Sequence, residues 1–502
     1  MNSVRKTGLT VEQLKTKYSD VFSKKLGCYP KKYTIRLKDD AVPVVNPPRP
    51  VPQATESPLK SKLDKMESDG VACKVDHPTA WVNNMVATEK KNGDIRICLD
   101  PRDLNKSIRR EHYPVPTWEQ VRLRLPAKPK FFTIIDQSWS FWQIPLTEDC
   151  QDLTTFATPF GRYKFKRMPF GISSASEVQQ KFSMEIFGDI EHVEIINDDM
   201  LIATEQEDEH DTAIIKIMER ARENGIHFNF EKLQFKKSKV LYHGHVLSEE
   251  GLQPDVEKVK AIREMPVPQD KADVRRFLGM VNYLSPYIDN KASKTQHLRG
   301  LIKDDAAFIW GKPEAQEFEA IKDDIAKDIK LRHYDPSKPV QIECDSSKDG
   351  IGACLLQDGK VVSFASRSMT DAETRYAQIE KEMAAIVFAT HRFHNYIWNK
   401  NVIVYSDHKP LESIQNKRFE RISPRLQLML LKVLKYNVNI VYKPGKELKV
   451  PDTLSRASLP TKQSSKQDPW DDCTYVHSVN WIDTNNETLK MYREATSNDS
   501  EM

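Results

Sequence analysis

The 502-residue chain has no run approaching the roughly 18 apolar residues that a membrane-spanning helix needs. Its first twenty residues, MNSVRKTGLTVEQLKTKYSD, hold no apolar core of a secretory signal. These two absences give the expectation of a soluble, intracellular protein, cytoplasmic or nuclear, with no membrane partner. The seven cysteines, Cys28, Cys73, Cys98, Cys150, Cys344, Cys354 and Cys473, form no C-x-x-C pair, so neither a zinc site nor a disulfide framework is indicated and reduced packing residues are expected. Charge of one sign is also lacking. With 76 basic and 72 acidic residues the net charge is only +4, so any surface for a polyanion has to be local rather than a property of the whole chain. Charged residues make up 29% and hydrophobic ones 39%, a balance that argues against wholesale disorder. The length suggests about three or four domains.

What is present centres on His192–Thr204, HVEIINDDMLIAT. Two apolar-rich runs, Val193 to Ile196 and Met200 to Ala203, flank Asn197, Asp198 and Asp199, a pattern that predicts a β-hairpin with adjacent carboxylates at its turn. Turns favour such residues for conformational reasons alone. Two neighbouring carboxylates nevertheless raise each other's pKa unless a cation lies between them, and Mg²⁺ in phosphoryl-transfer sites is held by one or two carboxylates. A further acid delivered by a buried strand is therefore expected. Lys130 to Asp136, KFFTIID, supplies one, because an apolar run that stops abruptly in Asp136 is how a buried strand brings a carboxylate to a sheet edge.

The remaining stretches read in order as follows. Residues 1–40 predict a helical start and a short strand, KKYTIRLKD; the proline-dense VPVVNPPRPVPQ of Val42 to Gln53 predicts an extended arm. Ala54 to Gly70 predicts a helix. Val86 to Leu99 predicts a hairpin around Asn92-Gly93 that presents Lys90, Lys91 and Arg96 from a basic ribbon. Phe156 to Ile172, FATPFGRYKFKRMPFGI, interleaves aromatic and basic residues, as nucleic-acid surfaces and half-buried strands both do. From about Pro254 to Lys303 a helical region carries a packing face of Phe277, Leu278, Val281, Tyr283 and Leu284. Val340 to Asp345 and Asn401 to Asp407 are two more strands ending in an acid, with ribbons around Asp358-Gly359 and one long helix, Ala372 to Ile397, between them. Beyond Pro460 a polar, flexible tail is expected.

Several of these stretches occur in a fixed series: RICLDPRDLN (96–105), FWQIPL (141–146), TTFATPFGRYKF (154–165), MPFGI (168–172), RRFLGMVNYLS (275–285), ASRSMTDAETRYAQIEKE (365–382), SDHKPLE (406–412) and PDTLSR (451–456). On them, residues from about Leu9 to Ala457 resemble the reverse transcriptase and ribonuclease H region of gypsy-type long-terminal-repeat retrotransposon polyproteins. The resemblance implies an α/β (α+β) fold, a right-hand polymerase of fingers, palm and thumb followed by a ribonuclease H-like α/β domain. The expected division is an N-terminal extension and arm over 1–53, fingers and palm over 54–253, thumb and connecting helices over 254–330, ribonuclease H over 331–460 and a tail over 461–502. No integrase zinc cluster or further acid triad follows residue 460, which reads as a fragment or processed copy.

By this resemblance Asp136, Asp198 and Asp199 are the palm's metal-binding catalytic acids, and Asp345, Glu382, Asp407 and Asp452 those of the ribonuclease, with two Mg²⁺ per site and Mn²⁺ able to substitute. Lys90 and Arg96 contact the incoming triphosphate, and Phe141 crowds the sugar 2′ position. The implied partners are an RNA template, a DNA primer, RNA/DNA hybrid and dNTPs, with the oligomeric state left open. On the 372–397 helix, Tyr376, Ile379, Met383, Ile386 and Thr390 define one face. Glu380 and Glu382 both lie roughly 80° from it at about 100° per residue, so only the resemblance selects Glu382. Four departures surround the palm: Ile196 where Tyr is common, Ser140 for Gly, Ser176 for Pro and Gln179 for Phe. They keep an alternative open, a host-resident remnant that binds nucleic acid without synthesising DNA. Gln179 is expected to leave an unsatisfied buried amide.

Overall fold

The computed structural model describes residues 8–89, 95–288, 291–326, 330–347, 350–414, 417, 421–444 and 448, and the chain divides into two compact units at His243 and Gly244. Among the described residues no helix is long and apolar enough to cross a membrane.

The first unit contains β1 (Ala72–Val75), β2 (Asn84–Glu89), β3 (Ile95–Asp100), β4 (Phe131–Asp136), β5 (Phe156–Thr158), β6 (Gly161–Phe165), β7 (Val193–Ile196), β8 (Asp199–Thr204), β9 (Gln234–Lys237) and β10 (Lys239–Tyr242). β2 and β3 form the two-stranded ribbon expected from the sequence, in register from Asn84 opposite Asp100 to Glu89 opposite Ile95. Its turn, with Lys90, Lys91, Asn92 and Gly93, lies outside the described residues. β1, β6 and β5 make a second small sheet, and β7, β8, β4 and β9 a four-stranded antiparallel one. β4 is interior to that sheet and, apart from the partly exposed Phe131, is buried along its length, as its aromatic and β-branched composition requires. The helices Ala175–Phe187 and Glu207–Glu223 supply the rest of the core. The second buries Ala213, Ile214, Ile217, Met218 and Ala221 at helical spacing. It has acids in its first turn and Arg220 and Arg222 in its last, which suits the helix dipole.

Two features of this unit differ from expectation. KKYTIRLKD is not a strand: Tyr33 and Leu37 each make only a single bridge, to Leu146 and Ile108. Tyr33 and Ile35 are buried, so the alternation reports a covered face correctly, but the segment bridges different parts of the chain and never acquires a ladder. Cys28 is exposed rather than packed, whereas Cys150, Cys344 and Cys354 are buried free thiols; Cys473 lies outside the described residues. The proline arm is extended up to Pro52, with the helix Gln53–Ser68 starting directly after it, and Arg49 fastens the arm to Asp100 of β3 at 2.8 Å.

The second unit opens with the hairpin of β11 (His245–Ser248) and β12 (Gly251–Pro254), followed by helices that include Val256–Arg263, Lys271–Tyr283 and Lys312–Ala326. In Lys271–Tyr283 the buried residues are Val274, Phe277, Leu278 and Val281. Tyr283, expected on that face, is instead 38% exposed and has the Lys258 ammonium 3.6 Å above its ring. The five-stranded sheet comprises β13 (Val340–Ser346), β14 (Gly350–Gln357), β15 (Lys360–Ser368), β16 (Asn401–Ser406) and β17 (Asn437–Tyr442) in the order β15-β14-β13-β16-β17. β13 pairs parallel to β16, and β16 to β17. Asp358 and Gly359 both adopt positive φ, at 51° and 69°, as a two-residue hairpin turn demands. The long helix expected over 372–397 is three pieces, Asp371–Thr374, Gln378–Arg392 and His394–Ile397. The cause is local: Glu373 closes a capping box with Thr370, and Glu380 accepts from the Ala377 N–H at 3.2 Å to start a fresh helix.

Beneath the four-stranded sheet His210 is fully buried between two threonines, its Nε2 2.8 Å from Thr133 Oγ1 and its Nδ1 3.0 Å from Thr204 Oγ1. Thr204 Oγ1 donates to the Gln206 carbonyl at 2.8 Å, so it accepts the proton of Nδ1 and leaves Nε2 to accept from Thr133. The site therefore holds a neutral ring, and burial pushes its pKa down to about 4 from 6.5. A lowered histidine pKa means that the unfolded chain takes up a proton first as pH falls. His210 then costs stability progressively from about pH 6.5 down to about pH 4, on the order of 3 kcal/mol in all. Denaturant melts across this window should show that loss, and the profile of His210→Gln should be flatter over the same interval.

Candidate active sites

The strand register creates the first site. β4 and β8 pair so that Asp136 stands directly opposite Asp199, and a two-residue turn, Asn197 and Asp198, joins β7 to β8. The structure thus brings Asp136, Asp198 and Asp199 together, with one adjustment. Asp199 is the first residue of β8, paired with Ile196, rather than part of the turn. Asn197 carries the turn's positive φ of 55°, a conformation Asn tolerates better than most residues.

The carboxylates repel one another in partly dry surroundings. Burial, with Asp198 and Asp136 adding to it, pushes Asp199 up to about 6. Burial also raises Asp136, opposed by Lys232, whose ammonium lies 2.7 Å from Asp136 Oδ2. His243 Nε2 is 3.8 Å from Asp199 Oδ2. Asp136, Asp198 and Asp199 do not bring three ligand oxygens within 4.8 Å of one another, but opposed carboxylates under this mutual strain, already attracting a tethered cation, suit a divalent cation.

The hairpin is held from below by the helix Ala175–Phe187. Gln180 is fully buried; its Nε2 donates to the Ile195 carbonyl at 2.9 Å and its Oε1 accepts from the Asn197 N–H at 2.7 Å. One side chain thereby satisfies a donor and an acceptor on either side of Ile196. Its neighbour Gln179 is not the orphan that the sequence suggests. Its Nε2 reaches Tyr29 Oη at 3.1 Å, Gln137 Oε1 at 2.6 Å and Ser183 Oγ at 3.2 Å, and only its Oε1 lacks a partner. Ser176 is exposed in the first turn of that helix and Ser140 is buried at the start of a 3₁₀ turn.

Arg96 and Phe141 meet through a third residue. The Arg96 guanidinium lies 5.1 Å from the Phe170 ring, and Phe170 packs tilted on Phe141 at 5.2 Å. Phe170 is delivered by the Pro-Phe-Gly turn, which is fastened to β3 by its carbonyl accepting from Leu99 N–H at 3.0 Å. Gly171 makes the approach possible, for it sits at φ 107° and a Cβ there would run into the Leu99 carbonyl oxygen. Lys90 lies outside the described residues.

In the second unit Asp345 of β13, Glu382 of Gln378–Arg392 and Asp407, just beyond β16, bring one ligand oxygen each within 4.8 Å of one another. Asp345 and Glu382 are buried and Asp407 is exposed, so the cluster faces solvent on one side. Glu382 Oε1 accepts from Ser346 Oγ at 2.5 Å and Gln378 Nε2 at 2.7 Å, while Oε2 is buried without a partner. Burial, then Asp345, pushes its pKa up to about 8. A buried, unpartnered carboxylate oxygen on a member of a crowded acid cluster fits a divalent cation. Glu380, which periodicity cannot separate from Glu382, pairs with Arg425 at 2.9 Å instead. Asp452 lies outside the described residues. Lys232, Gln180, Phe170 and Ser346 carry no chemical signal in the sequence; the MPFGI motif alone could have marked Phe170.

An antiparallel sheet with carboxylates at its hairpin, and a separate mixed sheet with three clustered acids, are arrangements of the kind used for metal-assisted phosphoryl transfer. Residues 88–247 match the family model of the reverse transcriptase (RNA-dependent DNA polymerase), and residues 335–436 that of the RNase H-like domain found in reverse transcriptase. Domains of these kinds are generally divalent-metal dependent. The chain is 29% identical over 430 residues to the retrovirus-related Pol polyprotein from transposon 297 of Drosophila melanogaster, covering 84% of this chain and 40% of that one. It is 28% identical over 485 residues to that from transposon gypsy of the same organism, covering 92% and 46%. The chain therefore spans less than half the length of these curated relatives. In fold it is similar to the foamy viral protease-reverse transcriptase solved in complex with dsDNA, with a TM-score of 0.76 at 19% identity over 87% of this chain and 94% of that one.

The Gln180 clamp makes a direct expectation. Gln180→Leu leaves the Asn197 N–H and the Ile195 carbonyl without their partner, at a cost of about 1–3 kcal/mol. Hydrogen exchange at the Asn197 amide should accelerate while amides in β13 of the second unit do not change; equal acceleration in both units would argue against a local clamp.

Proposed function

We propose that this chain copies RNA into DNA and cleaves the RNA of the resulting hybrid, using Mg²⁺ at both sites. The observation that carries this reading is the pair of separate acid clusters, one at the Asp136–Asp199 register and one at Asp345, Glu382 and Asp407, each inside a segment matched by the corresponding family. In this reading fingers and palm occupy 54–253, the thumb 254–330 and the ribonuclease 331–460. RNA template, DNA primer and dNTPs serve the first site and RNA/DNA hybrid the second. The foamy viral relative was also solved with an RNA/DNA hybrid, which supports such a partner here.

Asp136, Asp198 and Asp199 hold cations in the palm, and Asp345, Glu382 and Asp407, joined by Asp452, hold them in the ribonuclease. Bound divalent cations supply an activated oxygen nucleophile and neutralise charge on the reacting phosphate. The protein's own groups do the positioning. Gln180 fixes the turn that presents Asp198, and Lys232 balances the charge of Asp136. Arg96 offers a planar cation to phosphate oxygens, with the Phe170 ring as its platform. Phe141, braced by Phe170, fills the space that a 2′-hydroxyl would need. In the second site Ser346 and Gln378 hold one oxygen of Glu382 and leave the other for a cation.

Primer extension on an RNA template, run beside cleavage of a labelled RNA/DNA hybrid, tests the reading. Asp198→Asn should abolish extension and spare cleavage, because the two sites use different acids on different sheets. Equal loss of both activities in a folded variant would count against two independent sites. Phe141→Ala should admit ribonucleotides, since removing the ring opens space at the sugar; unchanged discrimination between dNTP and rNTP would take Phe141 out of that role. Glu382→Gln should weaken Mn²⁺ binding to the second unit in a calorimetric titration while the palm's binding stays intact.

A further inference from the structure

A cleft of about 580 Å³ opens in the first unit beside the palm acids, within the range of about 300–1,000 Å³ common for small-molecule sites. Neither acid cluster lies in its lining. Lys15 comes from the helix Val11–Lys17, Lys24 from the segment after it, which also lines the cleft with Ser19, Phe22 and Ser23, and Lys65 from the helix Gln53–Ser68; the rest of the wall is Ser138–Trp139 and Phe228–Glu231. These three lysines face a single carboxylate, Glu231, which lies 3.8 Å from Lys24 with both side chains largely in solvent. Such a surface pair neutralises little, so the cleft carries a positive excess. Its rings give it a firm wall: Phe230 meets Phe22 edge to face at 5.2 Å with Lys15 4.6 Å above it. Trp139 lies flat on Trp142 at 4.9 Å.

Two observations tie this cleft to the palm. The first is backbone strain. Trp139, three residues after Asp136, takes φ 52° and stays 37% exposed; a bulky residue in the left-handed region is uncommon and such outliers gather at functional sites. The second is the path of the wall itself. Asn229 N–H donates to the Asp136 carbonyl at 2.8 Å, and Ser138 N–H to the His227 carbonyl at 3.0 Å. Gln143 Nε2 bridges the Ser138 and His227 carbonyls at 2.6 and 2.8 Å. The short segment Phe228–Lys232 therefore lines the cleft with its first four residues and reaches Asp136 Oδ2 with Lys232. Spaced ammonium groups on separate elements suit a ligand with several negative charges along a short chain.

We propose that this cleft is a polyphosphate port behind the palm, binding inorganic pyrophosphate or the triphosphate tail of a nucleotide on its way from or to the acids at Asp136. The direction of traffic rests on the polymerase reading; the binding itself does not. Calorimetric titration of the full chain with sodium pyrophosphate, without template or metal, tests the binding. Lys15→Ala/Lys65→Ala, both exposed positions, should weaken it about tenfold or more, and Lys15→Arg/Lys65→Arg should restore it at an unchanged melting temperature. No binding by the parent chain, the same affinity in the alanine variant, or loss on Arg96→Ala alone would each overturn the port. In primer extension, weaker inhibition by added pyrophosphate with an unchanged KM for dNTP marks an outgoing route, and a raised KM an incoming one. Extension kinetics identical to the parent's on both counts would overturn the traffic. Absence of any extension would sink the polymerase reading and leave the titration to decide the port.

Discussion

Carboxylates facing one another across adjacent strands are the constraint on which the first unit turns. The β4–β8 register sets Asp136 against Asp199, and like charges directly opposite on a sheet are destabilising. A one-residue slip would relieve the repulsion but would also turn the buried Phe132, Ile134 and Ile135 to the wrong faces. Hydrophobic burial along β4 and β8 thus holds the acids where electrostatics alone would separate them. The surrounding polar groups temper the cost: Lys232 reaches Asp136, and Gln180 pins the turn from the helix beneath.

The second unit reaches a similar end by other means. Asp345 and Asp407 come from parallel neighbours β13 and β16, and Glu382 from the helix that crosses between β15 and β16 in the chain. Here the repulsion is absorbed by protonation tendency, for Glu382 is raised to about 8. The difference is one of degree. Glu382 is 1% exposed, whereas Asp136 is 7% exposed and Asp198 and Asp199 are half-buried, so the charged form of Glu382 depends most on whatever cation the cluster holds.

Much of this was legible in the chain because strands that stop in an acid announce themselves. KFFTIID, VQIECD and NVIVYSD each become a strand with the carboxylate within one residue of its end, since an apolar run closed by an acid has few other low-energy solutions. The hairpins at Asn197–Asp198 and Asp358–Gly359 were legible for the same local reason. What the sequence withheld is whatever depends on distant partners. Glu380 and Glu382 lie symmetrically about the helix face, and only Arg425, 45 residues from Glu380, separates their fates. Gln179 reads as a liability until Tyr29 and Gln137 arrive from 150 and 42 residues away. Tyr33 and Ile35 alternate like a strand because one side of the segment is covered, and alternation records covering, not pairing. The apparent single helix over 372–397 is broken by side chains that cap it internally, which a periodicity argument averages over.

The ion pair between Lys443 and Glu343 bears on where this protein can be divided. Lys443 Nζ lies 2.7 Å from Glu343 Oε1, and Glu343 is 3% exposed with its second oxygen unpartnered. Lys443 is the residue after β17, while Glu343 sits on β13 two positions before Asp345. The strand that closes one edge of the sheet therefore carries the counter-charge for its interior. A chain shortened to end at Tyr442 would retain all five strands and all three clustered acids, yet would remove the ammonium group paired with the buried Glu343 carboxylate, which is destabilising because a buried charge loses its partner. The edge of this sheet therefore extends in function one residue past its last strand, to an ammonium group and a backbone N–H that donates to the Ser406 carbonyl at 3.0 Å.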